Sequence, residues 1–212
     1  MTMQSAGAAA RGSRRERKTE RARAALLDAA LRVMSTRGVY LTRIEDITEA
    51  ADVAKGSFYA HFKDKDDILA AIVDLIQAGF REGLRMEELL TLARPERVRR
   101  LVLAHLEFYR ELPGRFVIMH QARGICMQDA SSFPSVRVAL GEYLELLARV
   151  LAGRGGRAGR DTRDAALMVA GLIAGYASFR FTVGPRPAEI PSGTSLVEAC
   201  VAAVEAVLER RE

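Results

Sequence analysis

The sequence has few of the features that mark extracellular or membrane proteins. Its 212 residues include only two cysteines, Cys126 and Cys200, whose spacing suits no disulfide framework, and this predicts a reducing compartment. The longest stretch without a charged residue, 165–179, is too short to span a bilayer. No apolar signal segment follows the N-terminal arginines, although a targeting peptide is a rival explanation for them. We therefore expect a cytoplasmic protein with no membrane association.

Patterns typical of enzymes and of β-proteins are also scarce. The three histidines, His61, His105 and His120, are scattered, and neither a nucleophile–base pairing nor a compact metal-ligand spacing includes them. The sequence therefore predicts no enzyme activity, no metal site and no cofactor. It also contains no internal repeat and no alternating run bounded by hairpin turns.

Apolar residues at helical spacing extend over nearly the whole chain, which is 49% apolar. We expect an all-α fold with helices at 19–37, 43–51, 54–62, 65–91, 95–111, 114–126, 133–153, 161–183 and 194–211. Glycines and prolines separate these segments. The segment GRGGRAGR lacks the preceding strand and the lysine of a phosphate-binding loop, so we interpret it as a flexible connection.

Residues 42–65, TRIEDITEAADVAKGSFYAHFKDK, have the pattern of two short helices joined by a tight turn. In the first helix, Ile44 and Ile47 share the inward face and Thr42 can cap the start. Asp52 lies at the turn, where it tolerates left-handed backbone.

The second helix of the pair opens with small side chains, Ala54-Lys55-Gly56-Ser57, which leave the backbone free to approach a base edge. Phe58 and Phe62 are spaced to anchor this helix inward. A helix-turn-helix places such a helix in the major groove of DNA, although an ordinary helical hairpin has the same pattern.

The charge distribution favours DNA binding. The formal net charge is +5, and residues 11–23 alone hold seven Arg or Lys against two Glu, while the remainder is balanced. We expect residues 1–18 to form a basic, flexible arm in which Arg14 and Arg15 contact phosphates or the adjacent minor groove.

From about residue 24 to residue 75, the sequence resembles the DNA-binding domain of the tetracycline-repressor (TetR) family of bacterial transcription regulators. The features that carry the resemblance are a first helix ending at Gly38, the entry Val39-Tyr40-Leu41-Thr42, the signature Tyr59-Ala60-His61-Phe62, and Lys65 at the next helix start. It implies an N-terminal three-helix helix-turn-helix domain at 19–65 and a C-terminal helical domain at 66–212 that binds an effector and dimerises.

The resemblance also implies DNA contacts. The residues placed at phosphates are Thr42, Arg43, Tyr59, His61 and Lys65, and those placed near the bases are Ala54, Lys55, Gly56 and Ser57. Glu45 departs from this pattern, because a basic or polar residue is common at its position and a carboxylate would repel phosphate. Lys55 can donate to guanine O6 and N7, and a further phosphate contact is the alternative.

The last two predicted helices carry apolar residues on nearly all sides, and Gly171 and Gly175 would let another helix approach closely. We expect a homodimer formed through these two helices, although burial within one chain is the alternative. Two reading helices must lie roughly 34–36 Å apart to meet two half-sites.

The middle of the chain, where the family binds its effector, mixes apolar residues with a few polar ones, as ligand pockets do. The candidate ligand-binding residues are His105, Tyr109, Phe116, Met119, His120, Phe133 and Tyr143. The whole pattern predicts a repressor that a small molecule releases from a palindromic operator in double-stranded DNA, with the helix from residue 65 as the lever. An activator, or a regulator controlled by a partner protein, is the alternative.

Overall fold

The computed structural model describes residues 3–129, 131–183 and 194–208, and side chains from residue 17 onward except at 181–183 and 194. The helices are α1 (Met3–Arg37), α2 (Ile44–Ala50), α3 (Lys55–Tyr59), α4 (Lys65–Gly83), α5 (Met86–Leu89), α6 (Arg94–Glu111), α7 (Pro113–Gln128), α8 (Pro134–Ala152), α9 (Arg160–Val183) and α10 (Thr194–Leu208). The described residues contain no strand. The predicted all-α fold is thus confirmed.

The first helix is longer than its apolar spacing predicts. It begins at Met3 instead of residue 19, so the backbone of the predicted arm is helical from Met3 and forms the first part of α1. Alanine, arginine, glutamate and lysine dominate this stretch, and these residues favour helix without an apolar face. The side chains of Arg14 and Arg15 lie outside the described residues.

The helix predicted at 65–91 is interrupted. It ends at Gly83, and Arg85 adopts the left-handed conformation (φ 46°, ψ 59°) before α5 begins. Leu84 and Leu89, on either side of this elbow, are both buried in the same core. The elbow lets both side chains reach that core, and the helix ends at Gly83, a residue type that disfavours helix.

Two apolar clusters form the interior. One joins α1, α2 and α3 to the first half of α4 and also includes Ile118, Met119 and Ile125 from α7. The other joins the second half of α4 to α6, α8, α9 and α10. The core beneath the helix-turn-helix therefore contains side chains from beyond residue 65.

Buried hydrogen bonds fix α4 against α8. The Asp66 carboxylate accepts from the backbone N–H of Ser135 (3.0 Å) and of Val136 (3.1 Å). Further along α4, Gln77 donates to the carbonyl of Ala139 at 2.7 Å. The Asp66 contacts satisfy free N–H groups of the first turn of α8. Over the described part of the chain, no helix is long and apolar enough to cross a membrane.

Candidate nucleic-acid interface and second-domain sites

The α2–turn–α3 unit is held by a small apolar core. Ile47 and Phe58 are fully buried, and Phe62 packs its ring 5.7 Å from that of Phe58. Asp52 at the turn has φ 53°, the left-handed conformation that the sequence predicts. The Val53 N–H donates to the Thr48 carbonyl at 3.0 Å and closes the turn. These contacts set the angle between α2 and α3.

The predicted base-reading residues lie on the exposed side of α3. Ala54, Lys55 and Gly56 are exposed, and Ser57 is half-buried. A methyl group placed on Gly56 would meet no atom within 4 Å, so packing within the chain does not require a glycine there. Tyr59 is 53% exposed. The outer edge of α3 is therefore available to a partner.

An ion pair joins α2 to α3 on this surface. Lys55 Nζ lies 2.5 Å from Glu45 Oε1, and the two side chains are 56% and 58% exposed. The hydrogen bond from Lys55 lowers the pKa of the Glu45 carboxyl, and the bond to Glu45 raises the pKa of the Lys55 ammonium. Sequence reasoning missed this pair, because it treated the two residues separately.

The structure corrects the prediction that Thr42 faces phosphate and caps α2. Its side chain is only 1% exposed, and its hydroxyl donates to the Gly38 carbonyl at 2.7 Å, so the side chain is not presented to phosphate. It does not cap α2 either, because Arg43 occupies the N-cap position. Asp46 accepts the Arg43 N–H at 2.8 Å and pairs with Arg37 at 2.8 Å.

The Arg43 side chain itself is exposed, as a phosphate contact requires. Lys65 is half-buried, and its ammonium donates to the Tyr40 carbonyl at 3.1 Å. Burial lowers the pKa of Lys65. The hydrogen bond from Lys65 to Tyr40 ties the start of α4 to the turn between α1 and α2. His61, four residues before Lys65, is also half-buried.

Helix α7 also holds that turn. Gln121 Oε1 accepts the Val39 N–H at 2.6 Å, and the Tyr40 hydroxyl hydrogen-bonds Gln128. A methyl group at Gly38 would lie 3.4 Å from the Gln121 amide. These residues are 82 and 88 positions apart, so no local pattern could have found the contacts.

Four of the seven candidate ligand residues come together in the second domain. His105, Tyr109, Phe116 and Tyr143, with Phe80, form a buried cluster that we call the aromatic group. The prediction placed Met119 and Phe133 with them, but both pack into the cluster beneath the helix-turn-helix. His120 is exposed, although its ring lies 5.8 Å from that of Phe116.

The aromatic group is electrically neutral near pH 7. His105 Nδ1 donates to the Leu101 carbonyl at 2.8 Å, because a carbonyl can only accept, and Nε2 therefore accepts the Tyr143 hydroxyl at 2.7 Å. Burial lowers the pKa of His105 to about 4 and raises the pKa of Tyr109 to about 12. Burial also raises the pKa of Tyr143, and the nearby Arg123 charge opposes this shift.

An open cleft of about 1150 Å³ lies where the chain bends at Arg85. The end of α4, α5 and one side of α6 form its walls, and Leu84, Leu89 and Leu106 lie at its apolar base. Arg154 lies at its edge. None of the seven candidate ligand residues lines this cleft. Nor do the described residues hold any group of three His, Cys, Asp or Glu side chains suited to a metal.

Helix α9 leaves an apolar stripe uncovered. Ala165, Val169 and Ile173 are buried against the same chain, as are Leu196, Val197, Cys200 and Val204 of α10. Met168, Leu172 and Phe179 are exposed on another side, Phe179 to 73%. Methyl groups at Gly171 and Gly175 would meet nothing within 4 Å, so a helix can approach closely there.

Comparisons with known proteins agree with this geometry. Residues 26–72 match the model of the family described as bacterial regulatory proteins, tetR family. The chain is 31% identical over 169 residues to the HTH-type transcriptional regulator AcrR of Shigella flexneri, which covers 71% of this chain and 74% of that protein. It is 36% identical over 61 residues to the regulator TtgR of Pseudomonas putida, 29% of either chain.

Solved structures share the fold. A TetR-family transcriptional regulator from Rhodococcus sp. superposes with a TM-score of 0.67 at 18% identity, over 89% of this chain and 98% of that one. The transcriptional regulator FadR from Bacillus subtilis, solved in complex with stearoyl-CoA, superposes with a TM-score of 0.63 at 19% identity over the same shares. At such identities the likeness establishes the fold alone.

Proposed function

Because this chain belongs to the TetR family of transcriptional regulators, which are not enzymes, we propose that it is a homodimeric repressor released from a palindromic operator by a small molecule. The observation that carries the proposal is the exposed edge of α3, whose small residues protrude from a rigid core formed by Phe58 and Phe62. A helix positioned in this way fits the major groove. We propose a division into an arm at 1–18, a reading domain at 19–65 and an effector and dimerisation domain at 66–212.

In the proposed complex, the bases meet Ala54, Lys55, Gly56 and Ser57, and the phosphates meet Arg43, Tyr59, His61 and Lys65 together with Arg14 and Arg15. Thr42 supports this surface from beneath through its bond to Gly38. The exposed guanidinium of Arg43 and the hydroxyl of Tyr59 can donate to phosphate oxygens. Such contacts orient the protein without reading sequence.

The uncovered stripe on α9 supports the dimer. Met168, Leu172 and Phe179 would leave hydrocarbon in water in a monomer, and a second copy would cover it. Replacing Leu172 by Glu should give a monomer in sedimentation experiments, because the carboxylate would be buried against the partner. Leu167 is exposed on the same helix but lies roughly 140° around the helix axis from Leu172, so Leu167→Glu is the matched control and should remain dimeric. A dimer of the Leu172 variant would contradict the interface.

The aromatic group supports an effector site linked to the reading domain. The ring centroid of Phe80 on α4 lies 4.0 Å from that of His105, and the other end of α4 contacts the α1–α2 turn through Lys65. A ligand that separates Phe80 from His105 would favour a different position of α4. Only a ligand with different affinities for the two positions can shift the DNA-binding equilibrium.

The decisive experiment selects fragments from random DNA with the full-length protein and then adds candidate effectors. Enrichment of an inverted repeat, and its release by a compound, would support a ligand-controlled repressor. Long-chain acyl-CoA is a reasonable first probe, since a fold neighbour was solved with stearoyl-CoA. Specific binding without release by any compound would favour an activator or control by a partner protein, and absence of any preferred fragment would overturn the proposal.

Two variants locate the effector. Tyr143→Phe removes a hydroxyl from the aromatic group, whereas Leu103→Glu places a charge in the open cleft. If the effector binds among the aromatic residues, the first variant should change the concentration needed for release and the second should not. The opposite result would place the effector in the cleft.

A further inference from the structure

The ion pair between α2 and α3 determines how Lys55 can be used. Lys55 is the only charged side chain in the predicted base-reading segment 54–57. Its ammonium contacts Glu45 at 2.5 Å, and the pair lies on the exposed surface of the helix-turn-helix. The buried Ile47 and Phe58 fix the two helices that carry the pair. The carboxylate and the ammonium therefore reach a DNA partner together.

This pair is a poor ligand for phosphate. Its net charge is zero, so placing it on the backbone releases no counterions, and the Glu45 carboxylate repels the phosphate oxygens. Base edges are different, because they offer donors and acceptors side by side in the major groove.

The pair matches one of the two kinds of base pair. A G·C pair presents two adjacent acceptors, guanine N7 and O6, followed by the amino donor on cytosine N4. The ammonium of Lys55 can donate to the first two, and the carboxylate of Glu45 can accept from the third. At an A·T pair the position next to the adenine amino group is thymine O4, which would repel a carboxylate.

We propose that Glu45 is a specificity-determining residue, which selects a G·C pair in each half-site together with Lys55 and keeps Lys55 from binding phosphate. This inference rests on the proposed DNA-binding function. It assigns to Glu45 a role opposite to that of the basic contacts around it, because Glu45 lowers affinity for wrong sequences.

The test uses the full-length protein and the variant Glu45→Gln, which preserves shape and removes the charge. The control is Asp28→Asn, which also removes one carboxylate from an exposed ion pair in the reading domain, at 3.2 Å from Arg32. Affinity is measured by fluorescence anisotropy at several salt concentrations. The probes are the selected operator, operators carrying single G·C to A·T changes, and a scrambled duplex.

At one operator position, wild type and Asp28→Asn should prefer G·C over A·T by roughly tenfold, the size expected for one specific base contact. Glu45→Gln should reduce that preference to about threefold or less. It should also bind scrambled DNA more tightly with a steeper salt dependence, because the freed Lys55 neutralises a phosphate.

Two outcomes would overturn the inference in distinguishable ways. If wild type selects an operator and Glu45→Gln discriminates at every position as wild type does, Glu45 has no part in specificity. If wild type itself prefers no sequence, the proposed function fails and this inference with it. Circular dichroism verifies that the variants are folded.

Discussion

Around α3, the candidate functional residues are mostly exposed and several are charged, whereas around α6 most are buried and neutral. Lys55 and Tyr59 are more than half exposed, and His105 and Tyr143 are almost completely enclosed. In the proposed complex, the first surface needs no rearrangement to meet DNA. The second site can accept a ligand only if packed side chains separate. The exposed edge of α3, residues 54–57, is therefore a preformed reading surface. The proposed effector site is closed, so ligand binding there requires a change of conformation.

The strongest test of this contrast removes the support under the reading surface. Phe58→Ala deletes a fully buried ring from the core that holds α3, and it should lower the free energy of unfolding by about 3–5 kcal/mol. Chemical denaturation measures the loss, and operator binding should disappear with it. Exposed Tyr59→Ala is the comparison, which should weaken DNA binding with little change in stability. Equal losses of stability would show that the reading surface is not independent of its core.

The second prediction concerns His105. Its pKa of about 4 lies below its value of about 6.5 in an unfolded chain, so the unfolded state binds more protons between these pH values. Stability should be complete above pH 6.5 and fall as the pH decreases toward 4, by up to about 3 kcal/mol. Denaturation curves measured from pH 7 to 4 check this. In His105→Gln that part of the pH dependence should vanish, and an unchanged pH profile would contradict the buried, neutral state.

Two glycines sharpen the comparison. A methyl group at Gly153, where φ is 77°, would lie 2.7 Å from Arg97 Nη1, so Gly153→Ala should destabilise the protein by about 1–3 kcal/mol. Gly56→Ala on α3 meets nothing and should stabilise the helix by about 0.5–1 kcal/mol, yet it should weaken operator binding because the methyl group faces the bases. Thermal unfolding and anisotropy measure both effects. Unaltered operator affinity of Gly56→Ala would remove Gly56 from the interface.

The smallest effect is expected where the two regions meet. Gln121→Met removes the acceptor of the Val39 N–H and should cost about 1 kcal/mol, since one partly buried donor is left unpaired. Tyr40→Phe removes the neighbouring bond to Gln128 and is the matched variant. If α7 positions the turn before α2, both variants should reduce operator affinity more than they reduce stability. If both variants bind the operator as tightly as wild type does, α7 has no part in coupling the two regions and only α4 connects them.

The reading domain was the most predictable part. The left-handed Asp52, the buried Phe58 and Phe62 and the exposed α3 edge agree with expectations based on spacing. The resemblance to the TetR family is confirmed by the family match and by the AcrR relative. The prediction that Thr42 lies at the surface was wrong. Its hydroxyl donates to the carbonyl of Gly38, four residues earlier, a partner that the sequence analysis did not consider.

The second domain was harder to predict for a physical reason. Apolar spacing indicates that Met119, Phe133 and Tyr143 are buried, but not which cluster receives each one. Met119 and Phe133 pack beneath the helix-turn-helix, and Tyr143 bonds to His105. The left-handed Arg85 and the cleft beside it depend on how Leu84 and Leu89 reach a common core.

Apart from the start of α1 and the break at Arg85, the sequence by itself determined the helices, the turn before α3 and the basic stretch 11–23, because each depends on residues within a few positions of one another. Only the tertiary structure decided the attachment of α7 to the α1–α2 turn, the junction of Asp66 with α8 and the pairing of Lys55 with Glu45. Those contacts join residues on different helices. Their geometry follows from how the helices pack, which local spacing does not specify.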